Sequence, residues 1–281
     1  MSQIKGYDTI ARLSDNITLF NAILSDPWHN GEPFFIARYL TNADEVSNPY
    51  DKKMTIPEVR LFAQNDIKIV SIFQEETYSQ STYTQAKGAS DAAKAVAAAA
   101  ALSQPSGTPI YFATEIELTN STVTTNVHNY LIGVMSVLSS TSANPKNYQL
   151  GVYGPQNTCK KIKEDWYTNA YTMFGHPLGN SYTGWSIRQY YSPSGYTGNL
   201  VGQVDFDKSR TSSYGGWLYH QYPLLWKNYG NMAMHRKKCL YCDHYIYEAH
   251  TPDSTGTRCT VCGYEGPIIT PASIPGGEQD E

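Results

Sequence analysis

The chain has 281 residues, 41% of them hydrophobic, and a formal net charge of −4. That is enough to bury one large core and a small second one, and the charge lacks the basic excess of a nucleic-acid binder. No run of about eighteen apolar residues occurs, so no membrane-spanning helix is expected.

Ile4 to Asp8 is a plausible first strand, with Asp8 at its end. The opening MSQIKGYDTI has no apolar core of a secretory signal, so synthesis in the cytoplasm is expected, and action at a cell wall would need another exit. Asn16 to Leu24 has helical spacing, and Phe34 to Leu40 reads as a second strand with Arg38 and Tyr39 at its end. Thr55-Ile-Pro-Glu58 reads as a capping box with proline in the first turn, opening a helix to about Asn65. Ile67 to Gln74 is a third strand, and Gly88 to Leu102 an alanine-rich helix suited to close packing on the sheet. Pro109 to Ala113 is an apolar, aromatic run behind a Ser-Gly turn signal, the pattern of a strand buried on both faces.

Glu115 and Glu117 follow that run two residues apart. Were the strand to continue, both carboxylates would share a face, with Cα atoms roughly 6.5–7 Å apart. Like charges so placed raise the pKa of at least one member, and glycosidic hydrolysis needs one protonated and one ionised carboxyl. A solvated strand end is the plainer reading of the same spacing. Further on come a helix from Thr122 to Leu138, a strand from Tyr148 to Gly154, a short helix near Thr158 to Trp166 and a strand from Tyr171 to Phe174. Trp185 to Tyr191 and Gln203 to Asp207 are late strands separated by a Gly/Ser/Pro loop. Strands alternating with helices predict a parallel sheet, and about eight of them with polar C-terminal ends predict an α/β fold, an irregular (β/α)8 TIM-type barrel. Arg38, Tyr39, Gln74, Tyr153 and Gln189 stand at predicted strand ends facing one mouth, where each is able to bond a sugar hydroxyl or an N-acetyl group. The 23 tyrosines suit such contacts, because the ring offers flat apolar area and the hydroxyl a polar tip.

The ordered blocks GYDT, ARYL, KMTIPEV, IVSIFQ, GASDAAKAVAAAAAL, GTPIYFATEIE, LGVYG, WSIRQY and VDFD, over roughly residues 3–208, resemble bacterial glycoside-hydrolase-like TIM-barrel domains. These are relatives of the family 25 lysozymes. The resemblance implies a muramidase site: Glu117 as general acid, Glu115 orienting the substrate acetamido group, Asp8 and Asp205 tuning the pair. Glu115 stands where family 25 enzymes carry Asp, adding about 1.5 Å of reach at a position where about 1 Å matters.

Cys239-Leu-Tyr-Cys242 and Cys259-Thr-Val-Cys262 form two CxxC pairs 16 residues apart, within zinc-ribbon spacing. Four thiolates would hold a structural Zn2+, with His244 and His250 as spare candidates, and a module this small needs the metal to fold. Two disulfides are the competing reading. Cys159 reads as a lone thiol. The expected organisation is a barrel over 1–210, an aromatic connector over 211–235, a zinc-ribbon-like module over 236–266 and a disordered tail over 267–281. The functional expectation is a peptidoglycan glycan-strand hydrolase, a phage or phage-like lysin acting at the wall or carried in a particle whose proteins the small module would contact. The alternative is a catalytically inactive glycan-binding or structural part of a phage tail or injection apparatus.

Overall fold

In the computed structural model, residues 3–41, 52–75, 79–175, 182–221, 227–228, 234–240, 245–265 and 268 are described. Strands and helices alternate through the first half of the chain: β1 (Lys5–Asp8), α1 (Ile17–Leu24), β2 (Phe35–Tyr39), α2 (Ile56–Gln64), β3 (Lys68–Phe73), α3 (Gln85–Ala101), β4 (Pro109–Ala113) and α4 (Ser121–Leu138). Then come β5 (Gln149–Pro155), α5 (Gln156–Lys161) running on into a π-helical turn, β6 (Tyr171–Gly175), β7 (Ile187–Tyr190) and β8 (Asp205–Ser209). β1 to β8 close into a barrel in chain order. The barrel expected from the alternation is therefore present.

β1 to β7 run parallel, each to the next, whereas β8 is antiparallel to both β7 and β1. The wholly parallel sheet predicted from the pattern is corrected at this strand. A parallel return needs a crossover, usually a helix. The Gly/Ser/Pro loop after Tyr190 forms none, and the strand comes straight back.

Paired residues share a side of the sheet, and one side can be followed round the barrel. It runs through Asp8 and Ala37, Tyr39 and Ile72, Tyr111 and Gly151, Tyr153 and Met173, Gln189 and Asp207, and back to Asp8 through Asp205. This side is the lumen. The other meets the helices: Arg38 Nε bonds Glu58 Oε1 of α2 at 2.9 Å, with both side chains fully buried. That pairing also corrects the expected capping box. Thr55 makes no side-chain cap bond, because Glu58 is held by Arg38 and by the Leu13 amide at 2.8 Å.

α3 starts at Gln85, three residues before the expected Gly88, because Thr84 caps it by accepting from the Lys87 amide at 3.1 Å. It packs against α4 at two glycines. A Cβ on Gly88 would lie 1.9 Å from the Tyr130 carbonyl oxygen, and one on Gly133 would lie 2.0 Å from that of Gln85. At the barrel end away from the C-termini of β1 to β7, Tyr111 donates its hydroxyl to the Tyr214 carbonyl at 2.7 Å. Trp217 exchanges two backbone bonds with Ile69, at 2.7 and 2.9 Å.

The chain divides into two compact units, 1–219 and 220–281. The second contains an antiparallel sheet of β9 (Lys227–Asn228), β10 (Met234–Lys238) and β11 (Tyr245–Ala249), in the order β11-β10-β9. The tail expected from 267 onward lies outside the described residues except for Ile268.

Candidate active site at the barrel mouth

β1 ends in Asp8 and β8 begins with Asp205, and the two are partners in the register. Asp205 reaches the mouth from the start of its strand because β8 is reversed. Gln189 of β7 joins them: its Nε2 donates to Asp8 Oδ2 at 3.0 Å and to Asp205 Oδ2 at 3.5 Å. Its Oε1 accepts from the Tyr153 hydroxyl at 3.2 Å. Asp8 is only 3% exposed. Burial first, then the charge of Asp205, push it up to about 8 against the opposing pull of Arg38. The upward shift favours the protonated form of Asp8.

Asp207 lies one lumen position deeper than Asp205, opposite Gly6 and Gln189. It is fully buried, and neither carboxyl oxygen has a hydrogen-bond partner among the described residues. Burial, then Asp8 and Asp205, hold its pKa well above the ordinary carboxylate range.

A cation sits above these acids. Met54 donates its amide to the Tyr39 carbonyl at 2.7 Å, and Lys53 bridges to Tyr39, so residues 52–54 run alongside the end of β2. This puts Lys52 Nζ 4.4 Å from the centre of the Tyr39 ring and 2.9 Å from Gln74 Oε1. Gln74 Nε2 in turn donates to Glu115 Oε2. Burial lowers Lys52 to about 8, against the pull of Glu115 and Asp8. Burial raises Glu115, with Lys52, Gln74 and Tyr153 acting the other way. Lys52 was not singled out from the sequence. It comes from the Asp-Lys-Lys-Met run, and nothing local to a lysine in a loop shows that it will be folded over a barrel mouth.

β4 ends at Ala113, so Glu115 and Glu117 do not share a strand face as the spacing alone suggested. Tight turns replace the strand, with Ile116 donating to the Thr114 carbonyl at 2.8 Å and Thr119 to that of Glu117 at 2.9 Å. The two carboxylates nonetheless line one cavity of about 400 Å³, together with Tyr153 and Gln189. Gly154 forms part of its wall, where a Cβ would lie 2.4 Å from the Thr114 carbonyl oxygen.

The structure thus brings together Asp8, Asp205, Gln189, Tyr153 and Glu115, with Tyr39, Gln74 and Lys52 along one rim and Glu117 on the cavity. It places Arg38 elsewhere, on the outer side of β2, where Glu58 and the Thr9 carbonyl take its guanidinium. The arrangement offers a carboxyl biased to its protonated form, ionisable carboxyls and fixed amide and hydroxyl groups around one opening. These are the components of acid–base chemistry on a polyhydroxylated substrate.

In the second unit, ligand atoms of His235, His250, Cys259 and Cys262 all lie within 4.8 Å of one another, a group that could hold a metal ion. Among the described residues, Cys259 and Cys262 are the expected cysteines that belong to it. Cys239 is buried outside the group, and Cys242 and His244 lie outside the described residues. The hairpin of β10 and β11 explains the difference, since it sets His235 opposite Glu248, beside His250.

A family model, the Rv2525c-like, glycoside hydrolase-like domain, matches residues 27–232. The chain belongs to this family. Among relatives of this Rv2525c-like chain, the uncharacterized protein YbfG of Bacillus subtilis is 30% identical over 211 residues, which are 70% of this chain and 28% of YbfG. The uncharacterized protein FadG of Bacillus subtilis is 22% identical over 150 residues, 53% of this chain and 25% of FadG. The chain thus spans about a quarter of the length of these relatives. Its fold is shared with the Tat-secreted protein Rv2525c of Mycobacterium tuberculosis, solved with L-tartrate. The TM-score is 0.57 at 18% identity, over 76% of this chain and 98% of that one.

Proposed function

We propose that the barrel cleaves peptidoglycan glycan strands between muramic acid and glucosamine by lysozyme-like chemistry. The observation that carries this reading is the shared cavity of Glu115 and Glu117, with Gln189 on its wall and tied to Asp8 and Asp205. The family description of a glycoside hydrolase-like domain agrees with it. Glu117 gives its proton to the leaving glycosidic oxygen. The substrate acetamido oxygen, oriented by Glu115, attacks the anomeric carbon as the C–O bond breaks. Water then attacks the anomeric carbon, opens the cyclic oxazolinium ion and gives up its proton to the Glu117 carboxylate, so the carboxylic acid is restored for another turn. Asp8 and Asp205, linked through Gln189, set the charge beneath the pair, and the protonated Asp8 keeps that floor from becoming fully anionic.

Release of reducing ends from purified peptidoglycan tests the assignment. Glu117→Gln is expected to lower the rate about 10²–10⁴-fold while leaving glycan binding intact. Intact protein that binds several wall types and releases nothing would replace this reading with the non-catalytic glycan-binding one. Carriage in a phage-like particle belongs to the same proposal, and mass spectrometry of particle fractions is its check. In the second unit the ion is proposed to be a structural zinc, since two thiolates and two imidazoles match its preferred donors.

A further inference from the structure

We propose that the complete zinc shell of the second unit is His235 Nδ1, His250 Nδ1, Cys259 Sγ and Cys262 Sγ, with Cys239 outside it. This rests on the zinc reading above and names its ligands. Zinc bonds sulfur at about 2.3 Å and imidazole nitrogen at about 2.0–2.1 Å, so a tetrahedral site sets neighbouring S and N atoms about 3.6 Å apart. Here Cys259 Sγ lies 3.6 Å from His235 Nδ1, and Cys262 Sγ lies 3.4 Å from His250 Nδ1. The four atoms already stand near the corners that an ion would impose.

Both histidines are held with Nδ1 turned inward. His235 is fully buried, and its other nitrogen, Nε2, meets Glu248 Oε2 at 3.4 Å. A carboxylate on the far nitrogen fixes a ligating imidazole and raises its basicity. The two are cross-strand partners on β10 and β11, so the sheet register sets this contact. His250 is stacked on Tyr264, with centroids 4.9 Å apart and rings inclined by 19°, and stands edge-on to His235.

The cysteines sit on a loop shaped for two thiolates. The Val261 amide donates to Cys259 Sγ at 3.4 Å, and the Gly263 amide to the Cys259 carbonyl at 3.0 Å. Gly263 takes a φ of 71°, a left-handed value that closes the turn, and the Cys259 amide bonds the Tyr264 carbonyl at 2.8 Å. This turn carries the stacking partner of His250 next to the ligand pair. A shell with four donors is full, leaving no position for Cys239, which is buried elsewhere in the unit.

The test uses the full-length chain. Zinc K-edge X-ray absorption of the wild type is expected to fit two sulfurs at about 2.3 Å and two nitrogens at about 2.0 Å. Four sulfurs would overturn the ligand assignment and leave the zinc reading standing, whereas a protein that takes up no zinc would overturn both. Metal analysis supplies an independent arm. The double variant Cys239→Ser/Cys242→Ser is expected to keep the wild-type zinc content, and its loss there would also overturn the assignment. His235→Ala is expected to lose zinc. Glu248→Gln, which perturbs only the outer contact, is expected to weaken affinity about 10–100-fold, and unchanged affinity would count against the Nδ1 orientation.

Discussion

Asp207 is the residue whose environment is least comfortable for its charge: fully buried, two carboxylates nearby, and no partner for either oxygen among the described residues. Its pKa is raised on folding, as is that of Asp8. Between the unfolded value of about 3.9 and the folded one, the folded chain holds protons that the unfolded chain has lost. Stability therefore falls as pH rises through this window, which for Asp8 closes at about 8. Asp207→Asn, of the same shape and unable to ionise, is expected to stabilise the protein by about 1–3 kcal/mol near pH 7 and to do little near pH 3. Thermal melts of both proteins from acid to mildly alkaline pH check this, and parallel curves would mean that Asp207 is ionised where it stands. The resemblant blocks mark the positions of Asp8 and Asp205, but Asp205 comes to lie beside Asp8 from the start of a reversed strand, which the blocks do not show. Lys52 and His235 were not legible in the sequence, since a loop lysine and a strand histidine acquire their roles only from what the fold lays beside them. Arg38 shows the same limit from the other side. A residue at a strand end points into the mouth or out to the helices according to a one-residue register, and here it points out to Glu58.

Among elements, the α3–α4 crossing depends most on a single atom. Gly133 sits mid-helix, where propensity alone says alanine should stabilise by about 1 kcal/mol. Its Cβ would instead meet the Gln85 carbonyl oxygen at 2.0 Å and the Ala89 amide nitrogen at 2.8 Å, both of them backbone. Gly133→Ala is therefore expected to destabilise by about 1–3 kcal/mol, read as a lowered Tm, and a raised Tm would show that the helices can separate freely. The alanine stripe of α3 was visible in the sequence as a close-packing face. Its expected partner, the sheet, is corrected to α4 at the Gly88 and Gly133 contacts, because the pattern marks a face without fixing what meets it. β8 makes the same point about direction: periodicity finds a strand, but only the missing crossover helix decides which way it runs.

For the whole molecule, the two units differ in what holds them. The barrel has a continuous apolar core, from Ile36 and Val70 through Phe112 and Val134, all fully buried. The second unit is too small to bury comparable surface and is expected to draw its stability from metal binding. A strong chelator should then remove one thermal transition and leave the barrel's unchanged. A single joint shift would contradict independent units. The reversed final strand adds a consequence in time. Gln189 and Asp8 are 181 positions apart, and β8 must lie between β7 and β1 before the barrel closes. Contacts of that separation form late and set slow folding. A nascent chain will have made its helices and most of its strands while the mouth is still two unconnected halves. Glu115 and Glu117 then wait for Asp205, and the act that seals the barrel is the same one that completes the acidic floor.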